Sequence, residues 1–371
     1  LKSLVRSEKG VTAVPSDFLV VSAFPETRSG KYMRRTLRGV LLDEPLGDLS
    51  TLRNPEVVDE IRATVAEWKA FGRLTEARQI VQSYRYLRVE NHELASGKMV
   101  ALVIIDHPPV NSLNERSLDE LNTVLQHIAN RDETAAVVIT GARSAFVAGA
   151  DVKELLEVGE AGDLESARTL PNAAHTAFSV LENLDKPVIA AVNGPALGGG
   201  NELVLACDYV IADAQARFGQ PEINLNLLPG YGGTQRLPRR LYSRQGEDGL
   251  IEATRLILSG RNIDAAEALD AGLVDEIAGS DGVVAVAMAR LRALLRDEGP
   301  LVGALAWRRS YLEARERPIP EPAACLDHPK IAPAIAQLEN SGRADCVERI
   351  LDALTQGAEH GQKAGLAREA A

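Results

Sequence analysis

Residues 196–208 read ALGGGNELVLACD. Three glycines stand directly before Asn201 and Glu202, and an apolar run follows. Upstream, KPVIAAVNG (186–194) has the unbroken apolar texture of a buried strand. Glycine lets a backbone come close to a ligand because no Cβ intervenes. A helix starting just after these glycines leaves its first N–H groups unpaired and its positive dipole end exposed. That end suits an anion or a developing oxyanion, with Glu202 in the first helical turn beside it. A tight β–α turn carrying a solvent-facing glutamate fits this stretch equally well when it is read alone.

Two further stretches have related form. FVAGADVKEL (146–155) places Gly149 and Ala150 at the end of an apolar strand, with Asp151 and Glu154 at the spacing of a capping box. Taken with the first stretch, it suggests two small-residue turns whose amides converge on one oxygen. FGQPEINLNLLPGYGGTQRL (218–237) sets Glu222 behind Pro221, flanked by Ile223, Leu225, Leu227 and Leu228. A carboxylate among apolar residues has a raised pKa and exchanges protons near neutrality; an exposed edge-strand glutamate is the plainer reading. Gly230, Gly232 and Gly233 suggest a close-approach loop. No glycine cluster forms a dinucleotide fingerprint after a strand.

The 371 residues suffice for two modest domains or one with extensions. With 41 basic and 52 acidic side chains the net charge is −11, which argues against a nucleic-acid surface. Cys207, Cys325 and Cys346 are far apart, suit a reducing, cytoplasmic compartment and make no metal spacing; nor do His107, His127 and the other histidines. No apolar run reaches the ~18 residues of a membrane span. The start at Leu1 and the ending AGLAREAA suggest a segment of a longer polypeptide.

Residues 10–25 read as strand-rich, and 54–82 as helical, with Asn54 as cap and Pro55 at the first helical position. From Tyr84, strand patterns at 99–105, 134–141 and 186–194 alternate with helical patterns. Pro171 marks a break or kink in one of these, and 208–219 reads as a strand pair. Such alternation indicates an α/β domain. Beyond about residue 282 the chain is mostly helical.

The segments FVAGADVKEL, KPVIAAVNGPALGGGNELVLACD (186–208), ARFGQPEINLNLLPGYGGTQRLPR (216–239) and GLVDEI (272–277) together resemble the crotonase (enoyl-CoA hydratase/isomerase) superfamily over roughly 85–285. The resemblance implies an α/β fold: a crotonase-like spiral of ββα turns, a helical C-terminal region (286–371), a helical linker (63–84) and a small α+β N-terminal segment. It implies an acyl-CoA thioester as substrate and no separate cofactor, CoA being part of the substrate. It places the thioester oxygen on the amides of Ala150 and Gly199, and matches Glu202 and Glu222 to the two catalytic glutamates of hydratases. Ala148, Asp151, Val152, Lys153 and Tyr231 become candidate substrate contacts, with Tyr231 limiting acyl length. Presence of both glutamates favours hydration or dehydration over double-bond migration. Pro108 stands where some single-domain hydratases have a lysine, so the resemblance does not carry a phosphate contact over to that position, though it leaves backbone contacts to the adenine open. Arg236, Arg239 and Arg240 either approach CoA phosphates or form a solvated face. Trp307 reads as a packing residue.

The stretch 22–62, SAFPETRSGKYMRRTLRGVLLDEPLGDLSTLRNPEVVDEIR, resembles the end of an acetyl- or propionyl-CoA synthetase. Lys31 matches that family's adenylation lysine, although without the large nucleotide domain it reads as a leftover on a solvated loop, and no ligase activity is expected. A synthetase tail (1–62) ahead of a crotonase core resembles the propionyl-CoA synthase family of synthetase–dehydratase–reductase fusions. That resemblance implies dehydration of 3-hydroxypropionyl-CoA to acryloyl-CoA, with synthetase and reductase domains as neighbours in the same polypeptide. Residues 303–322 and 346–371 resemble the segment after the hydratase domain in multifunctional β-oxidation enzymes, so a broad enoyl-CoA hydratase is the alternative. A non-catalytic acyl-CoA-binding module is a third reading, and homo-oligomerisation is left open.

Overall fold

The computed structural model describes residues 82–94, 97–151, 153–154, 164–294, 300–319 and 328–370, together with parts of 23–65. The chain divides into two compact units, residues 1–80 and 81–371.

In the first unit, Val40, Leu52, Val57, Val58, Ile61 and Val65 form a small apolar core. Residues 56–63 are helical. Asn54 does not cap this helix with its side chain. Its Oδ1 instead accepts from the Glu26 amide at 2.9 Å, and its Nδ2 donates to the Phe24 carbonyl. Lys31 is exposed on the turn where the Thr27 amide donates to the Lys31 carbonyl. The strand-rich expectation for 10–25 falls almost wholly outside the described residues.

The second unit is a ββα spiral. Its main sheet has the order β1 (Gln82–Ser83), β2 (Leu87–Glu93), β3 (Met99–Ile105), β4 (Thr134–Gly141), β5 (Val188–Val192), β7 (Tyr209–Ala212) and β10 (Glu276–Ile277). The pairings from β3 to β10 are parallel, while β1–β2 and β2–β3 are antiparallel. All five side chains of β5 are buried, as a parallel strand covered on both faces requires.

Each of the central strands is followed by a short segment in a second β layer. Leu113 pairs with Ala150, Val147 with Ala196, and β6 (Ala196–Leu197) with β8 (Arg217–Gly219), all in parallel. β8 also pairs antiparallel with β9 (Asn262–Asp264). Thus β7 and β8 belong to different sheets and do not pair with each other. Each turn then runs into a helix or helical turn: α1 (Glu115–Ala129), α2 (Leu164–Glu182), α3 (Gly199–Leu205) and a 3-10 turn (Pro221–Leu225). Helix α2 passes unbroken through Pro171.

Two asparagine-centred clamps, one buried and one half-buried, hold successive turns in register. Asn111, fully buried at φ 60°, donates to the carbonyls of Ala142 and Ala145 at 2.8 and 2.9 Å. Asn193 donates to Gly141 and Arg143 carbonyls at 2.9 Å each and accepts from the Gly141 amide at 3.2 Å.

The remaining helices are α4 (Gly233–Gln245), α5 (Glu247–Ser259), α6 (Ala265–Asp270), α7 (Val283–Leu294), α8 (Pro300–Ala314), α9 (Ala332–Asn340), α10 (Ala344–His360) and α11 (Gln362–Glu369). One core cluster unites the inner sheet face with α1, α2, α4 and α5; another joins the opposite face to α7. Helices α10 and α11 pack on α4, so the C-terminal helices close over their own core. Trp307 falls within α8, but its side chain and Cys325 lie outside the described residues. Among the described residues no helix is long and apolar enough to cross a membrane.

Candidate active site

The two small-residue turns are neighbours because their strands are. The Leu197 amide donates to the Val147 carbonyl at 3.0 Å, zipping β6 to the segment before Gly149. On the other side of that segment, Leu113 takes the Asp151 amide and gives its own amide to Gly149, both at 2.8 Å. In extended backbone, successive N–H groups point to opposite sides. The Ala150 amide therefore faces away from Leu113, toward α3. A methyl group built on Gly199 would lie 3.6 Å from the Ala150 nitrogen. Among the described residues neither the Ala150 nor the Gly199 amide has an acceptor.

The three glycines have three different spatial reasons. Gly198 sits at φ 51°, and a Cβ there would lie 2.8 Å from Oε1 of Glu222. A Cβ on Gly199 would strike the Tyr231 ring at 2.6 Å. A Cβ on Gly200 would come within 2.0 Å of the Val147 carbonyl oxygen. One glycine admits a carboxylate, one an aromatic ring, and one the neighbouring β segment.

Glu202 lies in the first turn of α3 and is 1% exposed, which disposes of the solvent-facing reading. Its Oε1 accepts from the amides of Tyr231 at 2.8 Å and Gly233 at 2.6 Å. Burial raises its pKa well above the usual carboxylate range, and the charges of Glu222 and Glu369 add to this against the two amide bonds. Glu222 is half-buried in the 3-10 turn, not on an edge strand. Gln220 is fully buried, and in the side-chain amide orientation that satisfies its hydrogen bonds its nitrogen donates to the two Glu222 oxygens at 3.1 and 3.2 Å. Burial pushes the Glu222 carboxyl up to about 8, with Glu369 contributing. The apolar flank expected from sequence is only partly its cause: Ile223 is buried, but Leu225 and Leu227 are 57% and 41% exposed.

Tyr231 is buried with its ring edge-on to Phe178, centroids 6.3 Å apart. Among the described residues its hydroxyl has no hydrogen-bond partner; burial raises its pKa, and the charges of Glu202, Glu154, Glu222 and Asp151 add to the shift. Ala148 is half-buried and its amide donates to the Val110 carbonyl at 3.1 Å. Asp151 Oδ1 accepts from the Lys153 amide at 3.0 Å, while Glu154 Oε2 accepts from the Glu115 amide at 3.3 Å. Lys153 is exposed, and Val152 lies outside the described residues.

Arg236, Arg239 and Arg240 of α4 neither face solvent nor reach outward. Arg236 is fully buried and bonds Glu182 at 3.0 Å and the Tyr231 carbonyl at 2.8 Å. Arg239 donates to the carbonyls of Gly357 and Arg317, and Arg240 to Asp275 at 2.8 Å. The C-terminal helices cover them, and that packing has no local trace in RLPRR.

A third carboxylate, not foreseeable from the sequence motifs, joins the site from α11. Glu369 Oε1 accepts from the Gly232 amide and lies 3.2 Å from His175 Nε2, while Oε2 accepts from the Thr234 hydroxyl. Among the described residues no three His, Cys, Asp or Glu side chains form a metal-binding group.

A profile of the enoyl-CoA hydratase/isomerase family matches residues 95–306. The chain belongs to the enoyl-CoA hydratase/isomerase family. Its fold is the crotonase-like α/β fold of that family. The short-chain-enoyl-CoA hydratase of Clostridium acetobutylicum is 43% identical over 193 residues, 52% of this chain and 70% of that protein. The fatty acid oxidation complex subunit alpha of Idiomarina loihiensis is 38% identical over 179 residues, 48% of this chain but only 24% of that subunit. Among solved structures, DspI of Pseudomonas aeruginosa superposes with a TM-score of 0.54 at 33% identity, covering 70% of this chain and 98% of that one. The enoyl-CoA hydratase of Bacillus anthracis gives 0.51 at 31% identity, covering 71% and 91%. The family's region ends at residue 306 in this chain, so Glu369 lies outside it.

Proposed function

We propose that this chain is a hydro-lyase that interconverts an enoyl-CoA and its 3-hydroxyacyl-CoA, and that its substrate is short. The observation that carries this reading is a buried carboxylate, Glu202, and a half-buried one, Glu222, beside two adjacent amides, Ala150 and Gly199, that have no acceptor among the described residues. In hydration, Glu202 takes a proton from water as its oxygen bonds to Cβ. The Cα=Cβ electron pair moves onto the thioester, whose oxygen becomes an enolate held by the two amides. Glu222 then delivers its proton to Cα. Dehydration is the reverse: Glu222 removes the Cα proton, and Glu202 protonates the departing β-hydroxyl, which leaves as water. Preorganised donors of this kind are worth ~10²–10³ in rate each, and a positioned acid or base ~10²–10⁴.

Within this reading, 3-hydroxypropionyl-CoA, dehydrated to acryloyl-CoA, is the substrate we favour. Support comes from the Tyr231 ring packed against Gly199 and from the synthetase-like tail, which makes synthetase and reductase domains the expected neighbours in the polypeptide. A broad enoyl-CoA hydratase of a fatty-acid oxidation enzyme is the second reading, favoured by the similarity to the Idiomarina subunit. Incubating purified protein with 3-hydroxypropionyl-CoA and with 3-hydroxyacyl-CoAs of increasing length, with mass detection of products, decides between them. Turnover confined to the shortest members supports the first reading; undiminished turnover of long chains supports the second. No turnover of any of them, nor of crotonyl-CoA, would sink the hydro-lyase reading and leave a binding module.

A further inference from the structure

The four-residue loop Tyr231–Thr234 is gripped from two sides. Glu202 accepts from the amides of Tyr231 and Gly233. Glu369 accepts from the intervening amide of Gly232 and from the Thr234 hydroxyl. Arg236 holds the Tyr231 carbonyl at 2.8 Å while its other guanidinium nitrogen is paired with Glu182. Successive amides of one loop thus go alternately to a carboxylate on α3 and a carboxylate on α11. The Glu369 side chain has no solvent exposure, although it lies near the end of the described chain. The amide of Gly232 lies between the two amides that Glu202 accepts, so Glu369 anchors the middle of the segment that carries them.

We propose that Glu369 is a positioning residue for Glu202, fixing through the 231–234 loop the two amides that aim the Glu202 carboxylate. This rests on Glu202 acting as an acid/base. Among the described residues Glu369 hydrogen-bonds only the loop and His175, so it has no part in the bonds made or broken. The charged groups around it are His175 on α2, Arg236 on α4, and Glu202 and Glu222 across the loop. Its negative charge also helps to keep a proton on the glutamate pair. A purely structural plug at this position would serve as well with an uncharged side chain; a positioning carboxylate would not.

The test is Glu369→Gln in the full chain, with Thr234→Val and Thr234→Ser beside it, measured by crotonyl-CoA hydration across pH. Glu369→Gln is expected to lower kcat ~10–100-fold, the scale of a small misplacement of a catalytic group. KM should change by less than about threefold, since no substrate contact is removed. Both limbs of the pH profile should move to lower pH, because losing a neighbouring negative charge makes the pair easier to ionise. Thr234→Val should lower kcat without moving the limbs, and Thr234→Ser should restore it. Parental kcat and an unmoved profile in both Glu369→Gln and Thr234→Val would overturn the proposal. So would a crystal structure of Glu369→Gln with both amides still at their parental distances from Glu202. If the parent is inactive on crotonyl-CoA, yet that variant structure has lost the two contacts, the acid/base reading fails and the positioning of Glu202 stands.

Discussion

A Cβ at Gly198 would lie 2.8 Å from Oε1 of Glu222, so the first residue of the glycine run borders the carboxylate that we assign to Cα. The backbone there is at φ 51°, a conformation that side chains other than glycine rarely adopt. Backbone conformation and carboxylate approach both select glycine at this position.

Replacing Glu222 by glutamine keeps the shape and removes the proton transfer at Cα. Hydration of crotonyl-CoA should fall ~10²–10⁴-fold. Binding of a saturated thioester such as butyryl-CoA should stay within about threefold, because the amides of Ala150 and Gly199 are untouched. Kinetics and calorimetry on the same preparation check both halves. Near-parental turnover would remove Glu222 from the mechanism.

The rate should also follow the protonation of the pair. Hydration requires Glu222 to hold the proton it gives to Cα, and burial pushes its carboxyl up to about 8. The coupled glutamates share their titration, so the limb belongs to the pair. Hydration kcat/KM should therefore hold through neutrality and fall as pH rises through about 8. A profile flat to pH 10 would contradict this assignment.

Stability should respond to the same group with a defined sign. Its folded pKa is about 8, against roughly 4.3 for an unfolded glutamate. The favourable contribution of the protonated group is thus fully present below about pH 4.3 and is lost as pH rises through about 8. Glu222→Gln has no proton to lose. Relative to the parent it should gain on the order of 1–3 kcal/mol between pH 5 and 9, a range discounted for the half-buried position. Denaturant melts at several pH values check this, and a difference independent of pH would contradict it.

The glycine positions predict graded outcomes. Gly198→Ala should cost activity first, since the displaced group is the end of a side chain. Gly200→Ala should cost stability first, since it would meet the Val147 carbonyl at 2.0 Å and backbone cannot swing aside. Gly303, in α8, is the control, because a Cβ there would have nothing within 4 Å. Alanine there should stabilise by ~0.5–1 kcal/mol through helix propensity. Thermal melts and hydration rates of the three variants test the order.

The site's near parts were legible in sequence because they are local. ALGGGNE and FVAGAD each place small residues at a strand end, and the strand pattern makes the two turns neighbours. Glu202 stands in the first of these stretches, and Glu222 in a third, FGQPEINL. What was illegible came from distance along the chain. Glu369 bonds Gly232 across 137 residues, and no local pattern in AGLAREAA marks it. RLPRR resembles a solvated basic run because its cover, α10 and α11, is encoded more than a hundred residues later. Asn54 sits where a cap is expected, but the Glu26 amide competes for its side chain and wins. Tyr231 was visible as an aromatic in a glycine loop, but not as the donor of a backbone amide to Glu202.

The buried charge cluster behind the site gives a last prediction. Glu182, 3% exposed at the end of α2, faces Arg236 at 3.0 Å, Arg315 at 3.7 Å, Arg308 at 3.8 Å and Gln362 at 3.2 Å. Burial alone would raise its pKa, but the guanidiniums of Arg236, Arg308 and Arg315 outweigh burial and hold it below the usual range. Removing one partner of such a set leaves the others buried and uncompensated, which costs ~3–5 kcal/mol. Glu182→Ala should lose about that much at pH 7. Because the folded pKa is depressed, the stabilisation is present above the unfolded value and lost as pH falls through the folded one. Parent and variant should therefore converge in stability as the pH drops below about 4. Arg236, Arg308 and Gln362 come from α4, α8 and α11, so amide exchange in α8 and α11 should quicken together in the variant. Equal melts of parent and Glu182→Ala at pH 7, or exchange confined to one helix, would show that Glu182 does not join these helices to the core.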